Sequence, residues 1–158
     1  MKLDKTDIKI LRELQINGRI SNIELAERVN LSPSPCLIRV KRLQAEGFIT
    51  GYAARIDVSK LRQTLTVFTE ITLRSHRQTD FARFLAAVEK IDSVVECHLV
   101  SGGYDFLVKF ITFGVDEYQM TIERLSEMDL GIDKYSSYVV LRSPIAKSEL
   151  LLDAVLEK

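Results

Sequence analysis

Tryptophan is absent from this 158-residue chain, and cysteine and histidine occur only twice each. Proline (three) and glycine (seven) are scarce and no low-complexity tract appears, which excludes a disordered or repetitive chain. Cys36 and Cys97 stand in separate segments. They do not make the disulfide framework of a small secreted domain, so free thiols are expected. The pair Cys97-His98 is no zinc site, because adjacent strand residues point to opposite faces and no second such pair exists. No apolar run approaches membrane-spanning length, and the start "MKLDKTDIKIL" alternates charge with apolar residues as no signal peptide does. The expectation is a cytoplasmic protein with no membrane partner.

Net charge is also missing: 22 basic residues balance 22 acidic ones. Taken whole, that balance argues against a nucleic-acid binder, but it hides a division. Met1 to Lys60 carries eleven Lys and Arg against seven Asp and Glu, whereas Leu61 to Lys158 carries eleven against fifteen. Halves of opposite sign predict a nucleic-acid module joined to a different kind of domain.

In the first half, Asp4 is placed to cap a helix, Asp7 favours its dipole, and Ile8, Leu11 and Leu14 form an apolar stripe. "NGR" at 17–19 stops it. Ser21, with Glu24 at the capping-box position, starts a short second helix buried through Ile23, Leu25, Ala26 and Val29, and Asn30 is a left-handed terminator. "SPSPCLIRVKRL" then opens a third helix that Gly47 ends. Its two Ser-Pro pairs fit a first turn, where backbone N–H groups have no partner inside the helix. The start is placed at Ser32 or Pro33, with Ser34-Pro35 the alternative. Three short helices with a tight turn between the last two predict a helix-turn-helix. "FITGYAARID" reads as a short strand or wing leading to a linker.

The second half alternates strand and helix. Strand patterns at Thr66–Arg74, Val94–Ser101, Tyr104–Phe113 and Ile132–Arg142 flank helical patterns at Thr79–Ile91, through Phe81, Phe84, Leu85 and Val88, and at Val115–Met128. Two βαβ units joined at Gly102-Gly103 spell a ferredoxin-like βαββαβ domain. In the first strand Val67, Thr69, Ile71 and Leu73 oppose Phe68, Glu70 and Thr72, and the mixed second face favours cover by another subunit.

On the third helix, Cys36, Val40, Leu43 and Gly47 share one side, and Cys36 reads as packing. Ser34, Ile38, Lys41, Arg42 and Ala45 fall opposite with Arg39 on the flank, while Ser32 and Pro35 belong to the leading edge. A small hydroxyl, an exposed Ile38 able to meet a thymine methyl, and closely spaced cations suit a recognition helix in the major groove. Arg19 and Arg28 are further phosphate contacts. "VSGGYDF" lies between strands and lacks the helix N-terminus that phosphate loops use. It is either a plain hairpin turn or, with Asp105, a grip for a small zwitterion. Glu70, His98 and Lys109 can share a sheet face, but no nucleophile with a base and an orienting third group is found, so no catalytic residue is assigned.

"LDKTDIKILRELQINGRISNIELAERVNLSPSPCLIRVKRLQAEGFITGY", "VECHLVSGGYDFLVKF" and "YSSYVVLR" closely resemble the leucine-responsive/asparagine regulator (Lrp/AsnC, feast/famine) family of prokaryotic transcription regulators. The resemblance covers Leu3 to about Leu152 in matching order and spacing. It implies DNA binding by the helices, pairing through the βαββαβ domain, assembly of dimers to octamers, and a small amino-acid effector in place of any cofactor or metal. Carried over by position, the effector site comprises Ser101, Gly102, Gly103, Tyr104 and Asp105 with Tyr138, Val139 and Val140. The chain departs from many relatives at Gly102-Gly103 and in its tail, "SPIAKSELLLDAVLEK", which reads as helical after Ser148 and as a subunit contact.

The expectation is an α+β protein: a helix-turn-helix (winged-helix-like) DNA-binding domain at 1–55, a linker at 56–65, and a ferredoxin-like effector-binding and oligomerisation domain at 66–158. It would be a nucleoid-associated regulator whose effector alters assembly or DNA affinity. The alternatives are an amino-acid sensor whose helical domain contacts protein rather than DNA, and a small ferredoxin-like enzyme.

Overall fold

The computed structural model describes residues 2–146 and 152. Its elements run α1 (Lys5–Ile16), α2 (Asn22–Arg28), α3 (Pro33–Ala45), β1 (Leu65–Leu73), α4 (Gln78–Val88), β2 (Val94–Leu99), β3 (Phe106–Thr112), α5 (Val115–Glu127) and β4 (Ile132–Val139), with a 3-10 turn at Val58–Lys60. They form two compact units. One contains residues up to Arg55 with the described tail residues 145, 146 and 152, and the other runs from Ile56 to Pro144. The described tail therefore groups with the helices rather than with the sheet domain, and residues 56–64 belong with the sheet unit. The helix expected after Ser148 otherwise lies outside the described residues.

In the helical unit, local chemistry sets each boundary. Asp4 accepts from the Asp7 N–H at 2.8 Å and Asp7 from the Asp4 N–H at 3.1 Å, a reciprocal capping box that starts α1. Ser21 Oγ accepts from the Glu24 N–H at 3.1 Å at the start of α2, while the Glu24 carboxylate turns to Arg28 instead of back to the cap. Asn30, at φ 57°, turns the chain out of α2. Gly47, at φ 76°, ends α3 and lets the Phe48 N–H reach back to the Leu43 carbonyl at 2.9 Å. Ile10, Leu25, Ala26, Val29, Cys36 and Leu43 form the buried centre, with Leu3, Leu11, Leu14, Ile20 and Val40 against it.

Two expectations fail here. Ile23 is exposed, because Leu25, Ala26 and Val29 set the buried direction of α2 and Ile23 points about 110° away at 100° per residue. Residues 48–57 form no strand, so of the expected strand or wing the strand is absent and this segment is irregular chain.

The sheet unit has strand order β2-β3-β1-β4 with every neighbouring pair antiparallel. This is the βαββαβ arrangement expected. Alternation in β1 buries Val67, Thr69, Ile71 and Leu73, and the register sets them beside Phe106, Val108 and Phe110 of β3. Phe84 and Val88 of α4 and Ile122 and Leu125 of α5 complete the core, with Phe84 and Phe106 ring centroids 4.6 Å apart. Leu85 is exposed on the flank of α4, and Ala87 packs on the core instead. The buried Tyr118 hydroxyl of α5 bonds Thr69 at 2.8 Å and also Ser137 of β4. One polar group thereby ties α5 to two strands.

Candidate nucleic-acid interface and effector region

Helix α3 begins where the Ser32-Pro33 grammar placed it: Ser32 is the extended cap residue and Pro33 the first helical position. Ser32 makes no side-chain cap, and the Cys36 N–H donates to its carbonyl at 3.2 Å. Asn22 Nδ2 donates to the Pro33 carbonyl at 2.8 Å, fixing the start of α3 to that of α2. Cys36 and Leu43 are fully buried, so the opposite side of α3 faces solvent. Ser32, Ser34, Pro35, Ile38, Lys41 and Arg42 are all exposed and Arg39 half-buried, as the helical spacing predicts.

The sequence did not disclose what the arginines do. Arg39 Nη1 donates to Asp4 Oδ2 at 2.6 Å and to Asp7 Oδ1 at 2.8 Å. Arg42 Nη2 donates to Asp7 Oδ1 at 2.8 Å and Oδ2 at 2.7 Å. The Asp7 N–H, followed by Arg39, holds the Asp4 carboxyl below its usual range, and Asp4 and Asp7 in turn raise the Arg39 guanidinium. Arg28 is similarly occupied, by Glu13 at 3.0 Å and Glu24 at 2.6 Å. Lys41 has no hydrogen-bond or ionic partner among the described residues, and it is the uncompensated cation of α3.

In the sheet unit, Ser101 to Asp105 joins β2 to β3. Asp105 locks this loop: its N–H donates to the Ile71 carbonyl at 3.0 Å and its carbonyl accepts from the Val100 N–H at 2.9 Å. Its carboxylate accepts from the Leu73 N–H at 2.8 Å and pairs with His76 Nε2 at 3.0 Å. His76 was missed, since nothing in the spacing links it to a residue 29 positions on. Tyr138 lies on the open face of β4, opposite Phe68, and donates to Glu70 Oε2 at 3.2 Å. The Glu70 charge raises the phenol's pKa, and Tyr104 adds to the effect.

The expected effector residues therefore separate within one chain. Val139 pairs with Val67 and the Val140 N–H reaches the Thr66 carbonyl at 2.9 Å, whereas Asp105 binds at Ile71 and Leu73. Four residues of extended strand, about 13 Å, divide these two attachment points. Tyr138, opposite Phe68, reaches Glu70 between the two points, but Val139 and Val140 stay at the far end.

The open face also carries Lys109, which bonds Glu96 Oε1 at 2.7 Å and stands 5.9 Å from the Phe68 ring centroid. His98 Nε2 meets Glu96 Oε2 at 3.3 Å. Glu70, His98 and Lys109 do share this face, yet Glu96 gathers the latter two and Tyr138 engages Glu70. Cys97 points the other way, against the core, and burial raises both cysteine thiols. No three His, Cys, Asp or Glu side chains cluster as a metal site among the described residues, and no described helix is long and apolar enough to cross a membrane.

A three-helix unit whose third helix keeps one side exposed, followed along the chain by a βαββαβ unit with a latched glycine loop, defines a helix-turn-helix transcription regulator with a ligand-binding domain. Residues 3–50 match the winged helix-turn-helix DNA-binding model and residues 66–150 the Lrp/AsnC ligand binding domain. The chain belongs to the Lrp/AsnC family. It is 44% identical over 143 residues to the transcriptional regulatory protein DoeX of Halomonas elongata, covering 90% of each chain. It is 42% identical over 150 residues to the leucine-responsive regulatory protein of Salmonella typhimurium, covering 95% of this chain and 92% of that one. Among solved structures, a Neisseria meningitidis transcriptional regulator in complex with L-methionine superposes with a TM-score of 0.91 at 34% identity, over 98% of this chain and 100% of that one.

Proposed function

We propose that this regulator reads DNA with the exposed side of α3 and responds to a small amino acid bound in its sheet unit. Residues 1–55 carry the reading unit, 56–65 lead from it as the first part of the sheet unit, and the sheet unit senses and assembles. Ser32, Ser34, Pro35, Ile38, Arg39, Lys41 and Arg42 face the groove, and phosphate contacts make affinity fall with salt. Paired recognition helices of a dimer meet half-sites about one helical turn, or a multiple, apart. The protein works in the cytoplasm as a binding protein, without catalysis.

The observation that carries the effector reading is the separation of Ser101–Asp105 from Val139–Val140 along one β1 strand. A site using both groups is completed when copies come together, which couples ligand occupancy to assembly. Dimers form through the open sheet face and gather to octamers. The L-methionine complex of the Neisseria relative supports an amino acid as the ligand class.

A thermal-shift screen of the twenty amino acids on the full chain tests this, with light scattering on every hit. A ligand that binds the native state raises the melting temperature. The expected result is one or a few hits that also change the oligomer size. A flat screen at millimolar ligand rejects the effector reading.

A further inference from the structure

Two of the three cations on α3 are already held by carboxylates at the start of α1, Asp4 and Asp7, and the way they are held differs. Arg39 spends one nitrogen on both Asp4 and Asp7, and its side chain is 28% exposed. Arg42 gives only Nη2 to Asp7, and 43% of its side chain is exposed. Its Nε and Nη1 groups have no protein partner among the described residues. Asp7 itself is 1% exposed, and among the described residues its carboxylate is bound by the Asp4 N–H, Arg39 and Arg42.

A carboxylate so buried is costly to leave without its cations, so the contact to Arg42 persists while the rest of that guanidinium stays available. The guanidinium is planar, so fixing one nitrogen on two oxygens restricts where its free edge points. A side chain ordered in advance also loses less rotamer freedom when it meets a ligand. Finally, Asp4 and Asp7 cancel the two guanidinium charges. That weakens indiscriminate attraction to phosphate and leaves geometry to discriminate.

We propose that Asp7 is a positioning residue for DNA recognition: from α1 it orients the Arg42 guanidinium, with Arg39 as a second strut, so that the free edge of Arg42 meets the operator already ordered. This rests on the DNA-reading role of α3 set out above. The residue that sets specificity thus lies partly outside the recognition helix. Asp7 touches no DNA and acts through Arg42.

The test uses the full chain, an operator enriched by the wild type from a random duplex library, and a scrambled duplex of equal length, read by fluorescence anisotropy. Asp7→Asn keeps the size and removes the charge. It is expected to weaken operator binding about tenfold, within what one bidentate base contact contributes, while binding of the scrambled duplex holds or rises. Arg42→Gln is expected to lose as much, and the double variant no more than Arg42→Gln alone. Losses that multiply, or equal losses on both duplexes, overturn the inference.

If Asp7→Asn does not fold by circular dichroism, Arg42→Lys decides. It keeps the charge without the fork, and is expected to lose operator affinity at an unchanged salt slope. Undiminished operator affinity in that variant overturns the inference. A wild type that enriches no sequence overturns the DNA-regulator reading and this inference with it. A wild type that selects an operator, beside an Asp7→Asn variant that behaves like it, overturns this inference alone.

Discussion

His76 and Asp105 meet at 3.0 Å between Nε2 and Oδ1, while the second oxygen of the same carboxylate accepts the Leu73 N–H at 2.8 Å. The two contacts are unequal. The imidazole is 65% exposed and its pairing is screened, whereas Asp105 Oδ2 accepts from the N–H of Leu73, a residue only 2% exposed. Asp105→Ala is expected to cost about 1–3 kcal/mol, the cost of stranding a donor, and His76→Ala less than about 0.5 kcal/mol. Urea unfolding of both variants checks this, and equal losses would remove Asp105 from the role of loop latch. Effector binding should fall with Asp105→Ala as well, because the Ser101–Asp105 loop loses its anchor.

The hydroxyl junction in the core gives a second expectation. Tyr118→Phe leaves Thr69 Oγ1, fully buried in β1, without its hydrogen bond. The expected cost is about 1–2 kcal/mol. Adding Thr69→Val removes the stranded hydroxyl, so the double variant should be more stable than the sum of the two single losses indicates. Strict additivity in thermal denaturation would show that the hydroxyl junction contributes nothing of its own.

Local signals made much of this architecture legible. Asp4, Ser21, Asn30 and Gly47 each act within a few residues, and each marks a boundary the structure contains. The period-2 pattern of β1 identified the buried face before any pairing was known. What failed was the choice of face in short helices. α2 has seven residues, and Ile23 looked like core because an apolar residue two places from Leu25 fits more than one stripe. In α1 the fully buried Ile10 was missed beside Leu11 and Leu14. Contacts between elements were hidden for a different reason. Asp7 looked like a dipole partner for its own helix, and its binding to Arg39 and Arg42, 32 and 35 residues away, follows only from the packing of α1 on α3. Asp105 with His76 is the same case in the sheet unit.

On the open sheet face, Lys109 and then His98 hold the Glu96 carboxyl below its usual range. A depressed carboxyl adds stability that is present above its unfolded pKa and is lost as pH falls through the folded one. The Glu96 side chain is 44% exposed, so screening limits the gain to about 0.2–1 kcal/mol. Glu96→Gln should therefore be less stable than the wild type at neutral pH by that margin. The gap should close progressively below about pH 4.5, where the unfolded carboxyl takes its proton. Thermal melts at neutral pH and at stepwise lower pH check this, and a gap independent of pH would show that packing rather than charge is responsible.

Lys41 separates charge from geometry on α3. It is exposed and unpartnered among the described residues, whereas Arg39 and Arg42 share the field of Asp4 and Asp7. A free ammonium near a phosphate displaces one condensed counterion, so Lys41→Ala should lower the slope of log affinity against log salt by about one unit per bound reading unit. It should weaken operator and scrambled duplex alike, because a phosphate contact carries no sequence information. Ile38→Ala should behave in the opposite way. An apolar contact to base edges leaves counterions in place, so specific affinity should fall by about 1 kcal/mol at an unchanged salt slope. Anisotropy titrations over a salt series distinguish the two. If Lys41→Ala changes only operator binding, the lysine reads a base, and the phosphate grip of α3 must come from the arginines that Asp7 holds.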